Sequence, residues 1–500
     1  MAETDPVPQP FWDWYGIWPG QTGIDERGQA WVQDMPVGVR LVVQPARKSE
    51  IFIVPERPWE QGTLSPTCIL WEEGLLRLWY FSQGADEGDA TFVAYAESRD
   101  GFDWKRPELG LQEYRGSAAN NLLFRVDAFE LQSVFIDPSE SPEARFKALG
   151  RGSICFHKGV VDPHMTYEKK WEVRRAMAAA GYTREQMAKA LYFHNHLRGA
   201  VSPDGVRWTF LKAPLLDVGT SGLDSQNIAA YDPEAQRYVG YLRGHQDRRR
   251  VVRRTEGEAF GGWGSPHVVF GMDPQDPVED DVYTSAYCRC PGGSGRHLMF
   301  PAIYHRWTSN VDVQVATSRD GLLWSRPGRQ PILTRQNEGG DYGMVYAFPN
   351  LVSLSADEWG LMFIGQFDLH DWGDRCKPDR PPEWRWARWK RDRLVALEAP
   401  VEGRVTLVER ECLGKALRIN FQTQREGGWI KVEIVHPPAS PASPVRAIEG
   451  YGLEEADVLA GDEVSGVVTW KGRSDLSALE GKAVSVRLHL ARAKVFSVAV

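Results

Sequence analysis

The chain has 500 residues, 42% of them hydrophobic and 25% charged, with a net charge of −8. That length exceeds one ordinary domain, and the balance is that of a folded globular protein. The acidic charge argues against a nucleic-acid partner, which needs a basic surface, and no apolar run approaches the roughly 18 residues of a membrane span.

In chain order, residues 1–6 lack the basic and apolar regions of a secretory leader, which predicts a cytoplasmic protein. Two repeats then interleave. The first is Ser98-Arg-Asp-Gly-Phe-Asp-Trp104, Ser202-Pro-Asp-Gly-Val-Arg-Trp208 and Ser318-Arg-Asp-Gly-Leu-Leu-Trp324, with a degenerate copy at Thr255–Trp263. Asp-Gly makes a tight turn, Ser and Asp side chains tie the loop backbone, and the Trp packs on the sheet. Asp100, Asp204 and Asp320 are therefore read as structural. The second repeat is a strand, a polar hairpin and a strand ending in aromatics, at 68–80, 133–149, 227–242, 284–304 and 351–367. Five units of about four short strands predict an all-β fold, a five-bladed β-propeller over 1–399, in which radial repetition protects sheet edges.

Residues 165–192 read as a helical hairpin inserted in blade two, with a capping box at Thr183–Gln186. It would serve as a lid, an oligomer contact or a surface decoration, and a homo-oligomer is left open. Asp137-Pro-Ser-Glu parallels Tyr231-Asp-Pro-Glu and reads as a hairpin turn. The arginines at 248, 249, 250, 253 and 254 read as a solvated strand edge. The six cysteines follow no zinc or redox spacing and are expected to be reduced and mostly buried. After 393–399, taken as the last propeller strand, residues 400–500 alternate apolar and polar residues in short strands. They are expected to form a jelly-roll-like β-sandwich, with a Pro/Ser turn at 437–444.

The ordered set of segments Pro58-Trp59-Glu60, Phe135-Ile-Asp-Pro138, Asp224-Ser-Gln-Asn227, Asp281-Val-Tyr283 and Gly340–Tyr346, together with the repeated loops, resembles the five-bladed propeller glycoside hydrolases. These include the invertase–levanase family (family 32) and the arabinanase–xylosidase family (family 43). The resemblance implies a glycosidase acting on a small glycoside or oligosaccharide. Two carboxyl groups would flank the glycosidic bond in a central funnel, one protonating the leaving oxygen and the other attacking carbon or activating water.

In such relatives a catalytic carboxylate sits at the head of an inner strand, ahead of that strand's hairpin turn. Asp224 lies eight residues before Asp232 and Glu130 seven before Asp137. Asp281 begins the blade-four strand, Asp341 precedes the blade-five strand, and Glu60 is the nearest acid in blade one, where the aligned positions are Leu64 and Ser65. The family-32 motifs Asn-Asp-Pro-Asn and Glu-Cys are missing at their places, so the nucleophile and fructose specificity do not transfer. Trp59, Asn227, Arg243, His245 and His370 are candidate sugar-binding residues, and the 20 tryptophans suit both cores and sugar faces. His194-Asn-His196 has no accompanying carboxylate in the sequence, so no metal or cofactor is expected. A channel calcium, found in some relatives, is left open. Two alternatives stand beside hydrolysis. One is a glycoside phosphorylase, which needs Arg, Lys and His converging on the funnel, as Arg151, Arg243 and His245 would. The other is a non-catalytic carbohydrate-binding propeller.

Overall fold

The computed structural model describes residues 7–86, 88–162, 167–219, 222–292, 295–371, 380–437 and 445–500. The chain is mostly β. Thr63–Glu72, Leu75–Gln83, Thr91–Ser98 and Leu122–Arg125 form a four-stranded antiparallel sheet in chain order. The same meander recurs in Ile228–Asp232, Arg237–Gln246, Arg249–Gly257 and His267–Phe270. It also recurs in Glu130–Ile136, Phe146–His157, Leu191–Ser202 and Thr209–Phe210, with two further short strands on its edge, and in Cys288–Arg289, His297–Met299, Ala316–Ser318 and Trp324–Ser325. A seven-stranded sheet begins with Asp280–Thr284, Ala302–His305 and Asn310–Val313. It continues through Met344–Ser355, Glu358–Gln366 and Glu383–Lys390, and ends on Arg47–Ile53 from near the N-terminus.

Period-two alternation explains how these sheets stack. Both faces of each sheet are covered, so a strand sends successive side chains into different cores. Leu76, Leu78 and Tyr80 join Val352, Met362, Ile364 and Trp386. Trp79, between them in sequence, joins Leu131, Val134, Phe146 and Ala148 of the next sheet. Leu149 and Leu197 then meet Ala229 and Leu242. Val239 and Tyr241 meet Tyr287, Met299 and Ala316, and Leu298 and Val313 meet Val345 and Leu361. The sheets thus follow one another around a ring in a propeller-like arrangement.

The repeated loops build one network three times. Ser98 Oγ accepts the Gly101 amide at 2.9 Å, Asp100 Oδ1 accepts the amides of Phe102 and Asp103, and Trp104 Nε1 donates to Gly101 O. Residues 202–208 and 318–324 repeat it. Gly101, Gly205 and Gly321 have φ of 82°, 73° and 69°, the left-handed region that favours glycine. Backbone amides hold the Asp100 carboxyl below its usual range.

Two regions depart from the plain meander. Phe146–His157 and Leu191–Ser202 pair along their whole length, whereas the inner strand facing them starts at Glu130, opposite Arg151. Six residues of each strand therefore rise past that level as a ribbon, edged by Val160–Val161 and Leu216–Gly219 and about 20 Å tall at strand rise. Helices Tyr167–Ala179 and Arg184–Ala190 follow at its tip, the second capped by Thr183 Oγ1 on the Gln186 amide. Residues 165 and 166 of the expected insertion lie outside the described residues.

The C-terminal residues form an eight-stranded sheet around Ala483–Ala499, which pairs with Val395–Thr406, Arg418–Thr423 and Trp429–Val435. N-terminal strands complete it, Gln9–Pro10 on Ala483–Ala499 and Arg40–Val43 on Val395–Thr406. Its core holds Ile419, Phe421, Ile430, Val432, Trp470, Val486 and Leu488. The expected division between 399 and 400 falls inside one continuous strand, Val395–Thr406. Local alternation could not reveal that N-terminal strands would join this sheet. Most of the Pro/Ser turn, 438–444, lies outside the described residues, as does Cys376. The other five cysteines are buried free thiols, and burial pushes Cys68 and Cys288 up to about 12.

Candidate functional site

The site lies where the leading ends of successive inner strands meet. Pairing fixes its level: Glu130 is opposite Arg151, Asp281 opposite Tyr304, and Arg250 opposite His245 at the end of its hairpin. Asp224 lies four residues before Ile228–Asp232, on the side of the neighbouring strand that carries Arg243.

Asp224 is ion-paired with Arg243, and its side chain is 53% exposed. Arg243 is buried and packs its guanidinium 5.5 Å from the Tyr283 ring centre, and that burial lowers its pKa. Glu130, 24% exposed, takes Arg151 through Nη2 at 2.7 Å and Nε at 2.8 Å. Arg151 Nη1 also donates to the carbonyl of Leu223 at 3.2 Å, tying Glu130 to the residue before Asp224. Asp281 is 1% exposed and receives the Arg250 amide, Arg250 Nη1 at 3.1 Å and Arg306 Nη2. Arg250 lies over the rings of Tyr283 and Tyr304. Burial lowers the pKa of His245, Arg243 and Arg250 reinforce this, and Asp281 opposes it.

His370 stands against Tyr283 and Tyr304, with ring centres 4.8 and 4.6 Å away, and its Nδ1 meets Asp371 at 2.8 Å. Asn227 is fully buried. Its Oδ1 accepts the Arg243 amide at 3.2 Å, and its Nδ2 donates to Gln132 Oε1, Leu223 O and Ser225 O. It fixes the strand head and offers nothing to solvent. Asp224, Glu130, Asp281, Asn227, Arg243, His245 and His370 are thus brought into one network.

Three expected residues stand apart. Glu60 is buried, and its carboxylate receives Tyr80 Oη and Arg106 Nε, both at 2.7 Å, with the amides of Glu56 and Arg57. Such a carboxylate is a structural anchor. Trp59 donates to Asn121 Oδ1 and packs on Tyr114 in the same region. Asp341 accepts the Asn337 amide, and its charge acts on Lys48 of the outermost strand, away from the network. The expected solvated edge at 248–254 is corrected as well. Arg250 serves Asp281, Arg249 donates to the carbonyl of Asp280, and Arg254 is buried against Glu256. A run of like charges reads as solvated until the strand beside it supplies carboxylates and carbonyls. Asp137 is the turn residue expected, taking the Ser139 amide and hydroxyl at 2.9 and 2.6 Å.

Glu60→Ala should remove the buried acceptor of Arg106 Nε and Tyr80 Oη and leave Arg106 with only the exposed Glu56 and the Val54 carbonyl, costing about 3 kcal/mol. Chemical denaturation checks this, and the surviving folded protein should keep its kcat. Behind the network, His305 Nδ1 meets Asp280 at 2.7 Å and Nε2 meets Asp312 at 3.1 Å. The Asp312 hydrogen bond and charge, helped by Asp280, raise His305 to about 9 against the opposing effect of burial. A raised folded pKa stabilises fully below the unfolded value, about 6.5, and the gain is lost as pH rises through about 9. The Tm difference between wild type and His305→Gln should therefore shrink from pH 6 to pH 10, as calorimetry would show.

Sequence reasoning missed Trp307, at the tip of the hairpin between Ala302–His305 and Asn310–Val313. It is 77% exposed. Its only sequence signal is an aromatic in a polar hairpin turn. Among the described residues no group of three or more His, Cys, Asp or Glu is arranged to hold a metal, and no helix is long and apolar enough to cross a membrane.

No protein-family model matches this chain, and no curated protein matches it. Solved structures do. One is described as a glycoside hydrolase, 10% identical with a TM-score of 0.43, covering 69% of this chain and 92% of its own. Bombyx mori GH32 beta-fructofuranosidase BmSUC1 is 11% identical with a TM-score of 0.38, covering 91% and 94%. The catalytic domain of Coprinopsis cinerea GH62 alpha-L-arabinofuranosidase is 12% identical with a TM-score of 0.38, covering 70% and 98%. Likeness of this order assigns no role to any residue.

Proposed function

We propose that this chain is a glycosidase that cleaves a small glycoside or oligosaccharide at the heads of its inner strands, using Asp224 and Glu130 as the carboxylate pair. One observation carries this reading. Asp224 is the only one of the five candidate acids that combines a place in the network with an open carboxylate, and Arg151 joins the strand before it to Glu130. Glycosidic cleavage needs two carboxyl groups flanking the bond. Asp224, the more exposed of the pair at 53% against 24%, is assigned the base or nucleophile role. Asp281, enclosed by Arg250 and Arg306, is a positioning residue that holds both guanidiniums. Glu60 and Asp341 take no part.

The fold reading that goes with this is a five-bladed propeller. The sheet beginning at Cys288 and the strands beginning at Asp280 together make blade four, and Arg47–Ile53 closes blade five. The C-terminal sheet folds over Trp470 as a sandwich that includes the N-terminal strands. The ribbon beyond Arg151 walls the funnel on the blade-two side, which favours a short substrate entering end-on.

Phosphorolysis is the second reading, because Arg243 pairs with Asp224 while His245 and Arg250 face each other at the end of the same hairpin. Release of 4-nitrophenol from a panel of aryl glycosides, with and without phosphate, tests both. Hydrolysis predicts release that is independent of phosphate. Release that requires phosphate selects phosphorolysis, and sugar binding without any release selects a binding propeller.

A further inference from the structure

We propose that Trp307 is a stacking platform at the funnel mouth for the part of a carbohydrate substrate that lies beyond the scissile bond. This rests on the funnel being a carbohydrate site. The hairpin carrying Trp307 closes at the same end of its sheet as Asp281, since Asp281 pairs with Tyr304 and His305 with Asn310. Both flanks of the indole belong to the network. On one side Arg306 reaches Asp281, and its amide donates to Glu279 O at 3.3 Å. On the other, Ser309 accepts the His370 amide at its carbonyl and the Asp371 amide at its hydroxyl. Ser309 is buried and has a φ of 56°.

The indole itself is left outside. Trp14 and Trp71 are the other two exposed tryptophans among the described residues, at 47% and 43%, and Trp307 is far more open. A large aromatic has few rotatable bonds to immobilise when a ring covers it, and a sugar's C–H face supplies the matching apolar surface. Isolated exposed apolar residues are ordinary on protein surfaces. What sets this one apart is that Arg306, just before it, and Ser309, two residues after it, anchor Asp281, His370 and Asp371.

The test uses the full chain with Trp307→Ala and Trp307→Phe. The probes are a panel of 4-nitrophenyl glycosides and the matching free disaccharides, read by tryptophan emission and by steady-state kinetics. At least one panel sugar should shift the emission of the wild type, and Trp307→Ala should abolish that shift. On any substrate turned over, Trp307→Ala should raise KM about tenfold, equivalent to about 1.4 kcal/mol, with kcat within about twofold. Trp307→Phe should fall between. An emission shift that persists in Trp307→Ala, an unchanged KM, or no response of the wild type to any panel sugar would overturn the platform. A Trp307-dependent shift without nitrophenol release would instead sink the glycosidase reading and leave the platform standing.

Discussion

Asp224→Asn should lower kcat by about 10²–10⁴-fold on any aryl glycoside the wild type cleaves, while KM changes little. The amide keeps the shape of the side chain and can still meet Arg243, which is buried beneath it. It cannot take up a proton or attack carbon. The loss therefore falls on the transition state and leaves ground-state binding in place. Because Asp224 is half-exposed, the variant should still fold, with a Tm lowered by the loss of the carboxylate that faces buried Arg243. Steady-state kinetics with a thermal melt alongside separates the two effects. A variant with near wild-type kcat would move the chemistry to Glu130, whose replacement by Gln is the next test.

A chain ending at residue 399 should fail to give soluble, folded protein. The cut divides the strand Val395–Thr406 and removes Ala483–Ala499, the partner of three other long strands and of Gln9–Pro10. Leu397, Ala399 and Leu41 would lose the core formed with Ile419, Phe421, Leu488 and Val495. Arg393 would lose its bond to Asn420 Oδ1 at 2.8 Å. A large apolar face would be left open, which is an aggregation hazard. Size-exclusion chromatography of the truncated chain decides it. A soluble monomer with full activity would show that the C-terminal sheet is an independent appendage.

The features legible in the sequence are those fixed by short-range chemistry. The Ser-x-Asp-Gly loops could be read because the hydroxyl, the carboxylate and the glycine that close them lie within four residues. The positions of Asp224 and Glu130 could be read because a strand head lies at a set distance from its own hairpin. Glu60 could not be judged, because Arg106, which neutralises it, comes 46 residues later. Asp341 precedes an inner strand as expected, but its charge acts on Lys48, nearly three hundred residues earlier. The arginines near 250 looked solvated because their acceptors, Asp281 and the carbonyls near it, sit on another sheet. Apart from the local pair of Arg254 and Glu256, these misses are contacts distant in sequence, which periodicity does not encode.

The most direct test of the central claim is a crystal structure of the Asp224→Asn variant with a glycoside that the wild type cleaves. A sugar ring should lie between position 224 and Glu130, near His370, with the anomeric carbon about 3–3.5 Å from the side chain at 224. Its aglycone should lie toward Trp307. A sugar bound elsewhere, with position 224 facing only solvent, would contradict it.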